Sequence, residues 1–316
     1  MSKRFPWAGA LLALVGGFAS AADESVTPEI VGVVKEGTPI RLVKDGYESV
    51  EGPIPLPDGG LLFTNNRVHR IEHIAPDGSA SVWYEGAGDA NALARTPRGD
   101  LVGTLTENRA IGVVRPGEPP KVLAKDYEGL AFNRPNDLVA SRRGDIYFTD
   151  TIPLTASEPA PQPSALYELT ARGKLIRIAN DIARPNGVAL SPDERTLYVA
   201  NTSGEWLLAC ELDRNGNAGK RREFAKLALP AQQTGTISGA GADGLAVDEK
   251  GRIYVATTVG VQVFSPKGES LGVIKLPKQP QNLAFAGAAR EALFVVGRGA
   301  VYRIDTLTHG PRRAGK

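Results

Sequence analysis

Six times along the chain a turn signal is followed by apolar and aromatic residues and then, in most copies, by a small polar one. The pattern is clear in Asp58-Gly59-Gly60-Leu61-Leu62-Phe63-Thr64, in Arg143-Gly144-Asp145-Ile146-Tyr147-Phe148-Thr149 and in Lys250-Gly251-Arg252-Ile253-Tyr254-Val255-Ala256. The copies centre on Leu61, Leu101, Ile146, Leu197, Ile253 and Leu293. Each follows a shorter apolar stretch, such as Leu138-Val139-Ala140 or Leu245-Ala246-Val247. Short apolar runs joined across Gly, Asp or Asn predict β-hairpins. Further alternating runs lie at 67–74, 165–169, 207–212 and 261–264, and no long stretch beyond the N-terminal segment has helical periodicity.

Successive centres are 40, 45, 51, 56 and 40 residues apart. A period of this size, with about four strands in each unit, predicts a β-propeller. The fold expected is therefore all-β, a six-bladed β-propeller. Residues 29–43 read as strand-like and residues 300–304 end the last copy. Strands from the two ends are expected to share one blade, closing the ring and removing its open edges. Residues 23–316 then form a single domain.

A polar residue recurs about ten positions ahead of each centre: Glu51, Asn91, Asn136, Asn186, Asp243 and Gln281. A ring brings equivalent positions together at its axis, so residues distant in sequence are expected to form one oxygen-rich site. Glu51, Asn136, Asn186 and Asp243 offer two carboxylates and two amide carbonyls. These hard donors suit one divalent cation, Ca²⁺ first, with Mg²⁺, Mn²⁺ or Zn²⁺ as alternatives. Asn-Gly and Asp-Gly pairs are also ordinary turn formers, but Glu51 has no such turn preference. Two long connections, 151–165 with four prolines and 226–241, are expected on the same face, where long loops often build binding walls.

The N-terminal segment stands apart. Lys3 and Arg4 precede the apolar run 8–18, and Ala19-Ser20-Ala21 fits a cleavage site, so residues 1–22 read as a signal peptide. A periplasmic or secreted location is the expectation. Taking Lys3 and Arg4 from 37 Lys plus Arg leaves 35, against 35 Asp plus Glu. That balance gives no reason to expect nucleic acid or, once the signal is cleaved, a membrane as partner. Cys210 is the single cysteine, which rules out an intramolecular disulfide, and its alternating surroundings suggest a buried strand residue. The three histidines, His69, His73 and His309, miss the recurring position, so a Ser-His-Asp arrangement has no evident base.

At these residues the chain resembles the gluconolactonase family, which includes regucalcin, the senescence marker protein. The matching stretches are Glu51-Gly52-Pro53, Arg134-Pro135-Asn136-Asp137 with Tyr147-Phe148-Thr149-Asp150, Arg184-Pro185-Asn186-Gly187 with Ser191-Pro192-Asp193, and Asp243-Gly244-Leu245-Ala246-Val247-Asp248 running into Gly260-Val261-Gln262-Val263-Phe264. The resemblance implies hydrolysis of a sugar lactone or similar cyclic ester by one divalent cation. It implies Glu51, Asn136, Asn186 and Asp243 as the metal site, Asp243 as the candidate base and Asn91 as a substrate contact. Two departures accompany it: Ala92 replaces a frequent Gly or Asp, and Thr106 stands where bacterial gluconolactonases commonly have His. A broader esterase or organophosphate hydrolase stays open, as does a calcium-stabilised binding module without turnover.

Overall fold

In a computed structural model the described residues are 25–87, 89–153, 159–232 and 238–312. The signal-peptide reading of residues 1–22 lies outside them. Where the sequence carries a turn signal the chain reverses. Gly144 (φ 89°) and Gly251 (φ 76°) take the left-handed backbone their hairpins need, which costs a glycine little.

Each pair of hairpins forms a four-stranded antiparallel sheet. Blade I comprises Val50–Pro55, Leu61–Asn65, Arg70–Ile74 and Ala80–Glu85. The inner strands of blades II to VI are Ala90–Arg95, Pro135–Ala140, Pro185–Leu190, Leu245–Val247 and Asn282–Ala286. Each inner strand touches the inner strands of both neighbouring blades, VI against I included, so the sheets close into a six-bladed propeller. Blade VI takes its outermost strand from the N-terminal side: Arg41–Lys44 pairs antiparallel with Ala300–Asp305, Arg41 opposite Arg303. The shared closing blade is as expected, with one correction. Of the segment read as strand-like, only Arg41–Lys44 joins the sheet. Before it the chain bends back on itself, and Ile30, Val33, Val34 and Ile40 pack into the core between blades V and VI.

The core lies between blades. Among the described residues six apolar clusters occur, each joining two adjacent blades. Between blades II and III, Phe148 stacks on Tyr167 at 5.2 Å and Phe132 meets both rings. Strands buried on both faces lose clean alternation, which explains the continuous run in Ile146-Tyr147-Phe148. A two-stranded hairpin, Asp126–Tyr127 with Leu130–Ala131, separates blades II and III and was not foreseen.

Strand register sets the two ends of the ring. Pro135 lies opposite Asp150, and Asp150 opposite Ala165, so the 151–164 connection leaves from the end where inner strands begin. Lys226 lies opposite Trp206, which puts the start of the second long connection at that same end. Residues 154–158 and 233–237 lie outside the described set. At the other end Gly310 and Pro311 lie beneath the inner strands of blades III to VI, leaving a void of only about 20 Å³.

Candidate active site

The recurring polar residues all lie at the end of the ring where the inner strands begin. Glu51, Asn91, Asn136 and Asn186 are the second residues of their inner strands. Asp243 and Gln281 precede theirs. The Glu51 carboxylate is buried, 7% exposed, and accepts hydrogen bonds from Gln281 Nε2 at 3.2 Å and Asn282 Nδ2 at 3.2 Å. Gln281, without a role in the sequence, thus holds the carboxylate of Glu51.

Asp243 is pushed well above the usual carboxylate range, first by burial and then by the negative charges of Glu51 and Asp137. Arg298 and a hydrogen bond from the Asn186 side chain pull it down. The Asn186 amide also donates to Thr202 Oγ1 at 3.1 Å. Asn91 is buried and joins Asn136: its Nδ2 donates to the Asn136 carbonyl at 3.0 Å, while its Oδ1 accepts from Asn66 Nδ2 at 2.7 Å. The fold brings the five sequence-selected residues to one end of the ring in two contact sets. Glu51 and Asp243 act on each other electrostatically, Asn186 bonds Asp243, and Asn91 bonds Asn136.

Asp137 was missed as a member of the site. It is 1% exposed, accepts from Val188 N at 3.1 Å and adds to Glu51 a second negative charge that bears on Asp243. A signal existed: Asp137 follows its polar residue where Gly52, Gly187 and Gly244 follow theirs. Those glycines have a reason beyond turn formation. A Cβ on Gly187 would lie 2.2 Å from the Asp243 carbonyl oxygen, and one on Gly244 2.1 Å from Asn282 Oδ1. At these glycines the neighbouring inner strand comes too close for a side chain.

Two repeated devices hold the ligand-like residues in place. A threonine hydroxyl of one blade donates to the backbone of the next: Thr64 to the Asn91 carbonyl at 2.8 Å, Thr104 to Asn136 at 3.0 Å, Thr149 to Asn186 at 2.7 Å and Thr202 to Ala242 at 2.8 Å. Three of the four, Thr64, Thr104 and Thr149, are the small polar residue that closes the strand pattern, fourth counted from its centre. The second device is a side-chain acceptor at the end of the second strand. Asn65, Asp150 and Asn201 accept from the backbone N–H of Ser49, Arg134 and Arg184, each two residues ahead of a polar axial residue.

The donor set fits a hard divalent cation. It is all oxygen, it includes two carboxylates whose mutual repulsion a cation would relieve, and the Asn136 and Asn186 backbones are held from the preceding blades. At the rim of the same face, His69, Asp89 and Glu107 form a second group with ligand atoms within 4.8 Å of one another, among the described residues the single set of three such groups. His69 ends a short 3₁₀ turn in left-handed backbone, so it sits at the mouth rather than on a strand of blade I. Thr106, at the position that departs from the bacterial pattern, donates to the Asp89 carboxylate. Cys210 is wholly buried and burial pushes its thiol up to about 11, which leaves it a core residue.

The family profile described as the SMP-30/gluconolactonase/LRE-like region matches residues 50–298. A gluconolactonase of Zymomonas mobilis is 30% identical over 312 residues, covering 90% of this chain and 86% of that one. A lactonohydrolase of Aspergillus oryzae is 30% identical over 203 residues, 58% of this chain and 47% of its own. Among solved structures, a gluconolactonase of Xanthomonas campestris superimposes with a TM-score of 0.77 at 26% identity, covering 90% of this chain and 96% of that one. A calcium-binding regucalcin of Agrobacterium tumefaciens gives 0.70 at 21% identity over 87% and 98%, a likeness of fold.

Proposed function

The chain belongs to the SMP-30/gluconolactonase/LRE-like family, and from that premise we propose that it hydrolyses a sugar lactone or similar cyclic ester, with one divalent cation held by Glu51, Asn136, Asn186 and Asp243. The observation that carries this reading is that Glu51 and Asp243 lie close enough at the starts of their inner strands for their charges to act on each other. The lactonases among the relatives support a lactone hydrolase.

A bound cation would supply Lewis-acid polarisation of the ester carbonyl. The remaining work falls to side chains. Asn91 is locked by Asn66 and by the Asn136 carbonyl, which leaves one amide hydrogen and one lone pair of Oδ1 to meet substrate hydroxyls. Asp243 is the base that takes a proton from the attacking water. Burial and the charges of Glu51 and Asp137 raise its carboxyl in the free site, and a bound cation would counter that rise and keep it ionised, able to accept a proton, at neutral pH. Asn186 aims the carboxylate by hydrogen bonding to it. Ca²⁺ is the ion proposed, since every donor is a hard oxygen. Export through residues 1–22 belongs to the same proposal, and fractionation of cells making the full chain tests it.

The deciding experiment is a lactone panel assayed with Ca²⁺, Mg²⁺, Mn²⁺ or Zn²⁺ after chelation. Hydrolysis that returns with metal, and that falls at least about a hundredfold in Asp243→Asn, is the expected result. No hydrolysis with any ion would leave a binding propeller. Unaltered turnover in Glu51→Gln would remove the cation from the mechanism.

A further inference from the structure

Arg-Pro-Asn occurs twice at the site end of the ring, in Arg134-Pro135-Asn136 and Arg184-Pro185-Asn186. Each proline opens an inner strand, so each arginine stands just ahead of one, and the inner strands of blades III and IV touch. A residue before proline is held to extended backbone, and the arginine backbones are bonded on both sides as well. Arg134 N–H donates to Asp150 at 2.7 Å and its carbonyl accepts from Thr151 N at 3.2 Å. Arg184 N–H donates to Asn201 at 3.1 Å and its carbonyl accepts from Thr202 N at 3.0 Å. Two arginine side chains are thus rooted on adjacent blades, beside the ligand-like asparagines.

Their heads are unmatched. Among the described residues Arg134 and Arg184 make no side-chain hydrogen bond, ion pair or ring contact. Arg134 is exposed, whereas Arg184 is half-buried. Burial holds the Arg184 guanidinium below its usual range, the Asp243 carboxylate counters that, and the like charge of Arg134 adds to it. No other carboxylate among the described residues acts on Arg184. Asp181 pairs with Arg221 at 2.6 Å, and the wholly buried Asp150 takes the Asn133 and Arg134 N–H groups. The rim acids Asp89 and Glu107 lie with His69 on blades I and II. An arginine does not shed its proton to escape such a position. A divalent cation on Glu51 and Asp243 would take over the counter-charge that Arg184 has, leaving two like charges together with none.

We propose, resting on the lactonase reading, that Arg134 and Arg184 form a subsite for an anionic group on the lactone, a carboxylate or a phosphate, so that the substrate class is an acid-bearing lactone. A guanidinium meets an oxyanion through paired hydrogen bonds, and the two heads together answer its charge. A neutral sugar lactone in the same place would displace their water and leave both heads unmatched. Sites built around a polar group reject analogues that lack it. Selection is then separate from the reacting ester: the axial residues hold the cation, and the arginines, two residues ahead of Asn136 and Asn186, meet the ring substituent.

The test is calorimetric titration of the full chain, at a fixed concentration of free Ca²⁺, with D-gluconate, D-glucarate and 6-phospho-D-gluconate. The three share the acid of an opened lactone, and the last two add a carboxylate or a phosphate. At least one of them should bind about tenfold or more tighter than gluconate. That preference should shrink to about threefold or less in Arg184→Met and return in Arg184→Lys. Arg98→Met, which removes an exposed charge from the turn at the other end of blade II, should keep it. A preference for glucarate assigns a carboxylate, and one for phosphogluconate a phosphate. Should Arg184→Met lose its fold by circular dichroism, Arg134→Met, whose side chain is exposed, reads the same preference. Equal affinity for all three, no binding of any up to about 10 mM, or a preference that survives loss of either arginine would overturn the proposal. Turnover of no lactone, charged or neutral, would sink the lactonase reading instead, since the binding comparison needs no reaction.

Discussion

Thr149 is wholly buried, and its hydroxyl donates to the carbonyl of Asn186 in the next blade. The same bond recurs from Thr64 and Thr104, so the site residues are placed less by their own blades than by the preceding ones. Thr149→Val keeps the shape and strands the Asn186 carbonyl. We expect a loss of about 1–3 kcal/mol in urea unfolding together with weaker cation binding by calorimetry, and recovery of both in Thr149→Ser. Equal behaviour of the Val and Ser variants would deny the hydroxyl its role. Cys210 invites a simpler measurement at this scale. With its thiol raised to about 11 and fully buried, it should resist an aromatic disulfide reagent in the native protein and react at once in denaturant.

The inner strand is the element on which the site depends. Its glycines answer to the neighbouring blade: with a Cβ only 2.2 Å from the Asp243 carbonyl, Gly187→Ala must push the inner strands of blades IV and V apart. Overpacking of this kind costs about 1–3 kcal/mol, and the displaced backbone is that of Asp243 itself. Calorimetry should show a lower Tm and a weaker cation site in Gly187→Ala. Gly219→Ala, whose Cβ would meet the Glu211 carbonyl at an unforced 3.4 Å, should match wild type. The closing strand is the other sensitive element. Cutting the chain after Lys44 would leave Ala300–Asp305 as an open edge. Light scattering and thermal unfolding should then report a less stable, self-associating ring, and a monomer of unchanged Tm would contradict that role.

For the whole molecule, pH separates two sets of carboxyls. Asp150 is pushed up to about 6 by burial, against the hydrogen bonds from Asn133 and Arg134. Glu168 is pushed up to about 7 by burial, reinforced by Asp145. A raised carboxyl favours the folded state while protonated, and the unfolded chain ionises first as pH rises. Stability should therefore fall between about pH 4 and pH 7 and level off above. Asp45, Asp77, Asp193, Asp213 and Asp305 are lowered, so their contribution appears at the acid side of that window and opposes it there. Urea midpoints should be higher near pH 5 than near pH 7.5, with a shallower slope in Glu168→Gln. A flat profile in the wild type would contradict the burial of both groups.

The sequence by itself determined the number of blades, the closing of the ring from both ends and the face on which Glu51, Asn91, Asn136, Asn186 and Asp243 gather. These follow from period, alternation and turn residues, which are local and repeat six times. The strand-like reading of the segment ahead of Arg41 went too far, because apolar residues there fill the seam between blades V and VI instead of extending a sheet. What only the tertiary structure decided is how blades act on one another. The second charge that Asp137 adds, the hold of Gln281 and Asn282 on Glu51 and the threonine latches all cross a blade boundary. The same is true of Arg134 and Arg184, whose charges meet because blades III and IV adjoin. A linear pattern places residues on an element, whereas burial, electrostatic coupling and unmet hydrogen bonds arise only once elements distant in sequence share a volume.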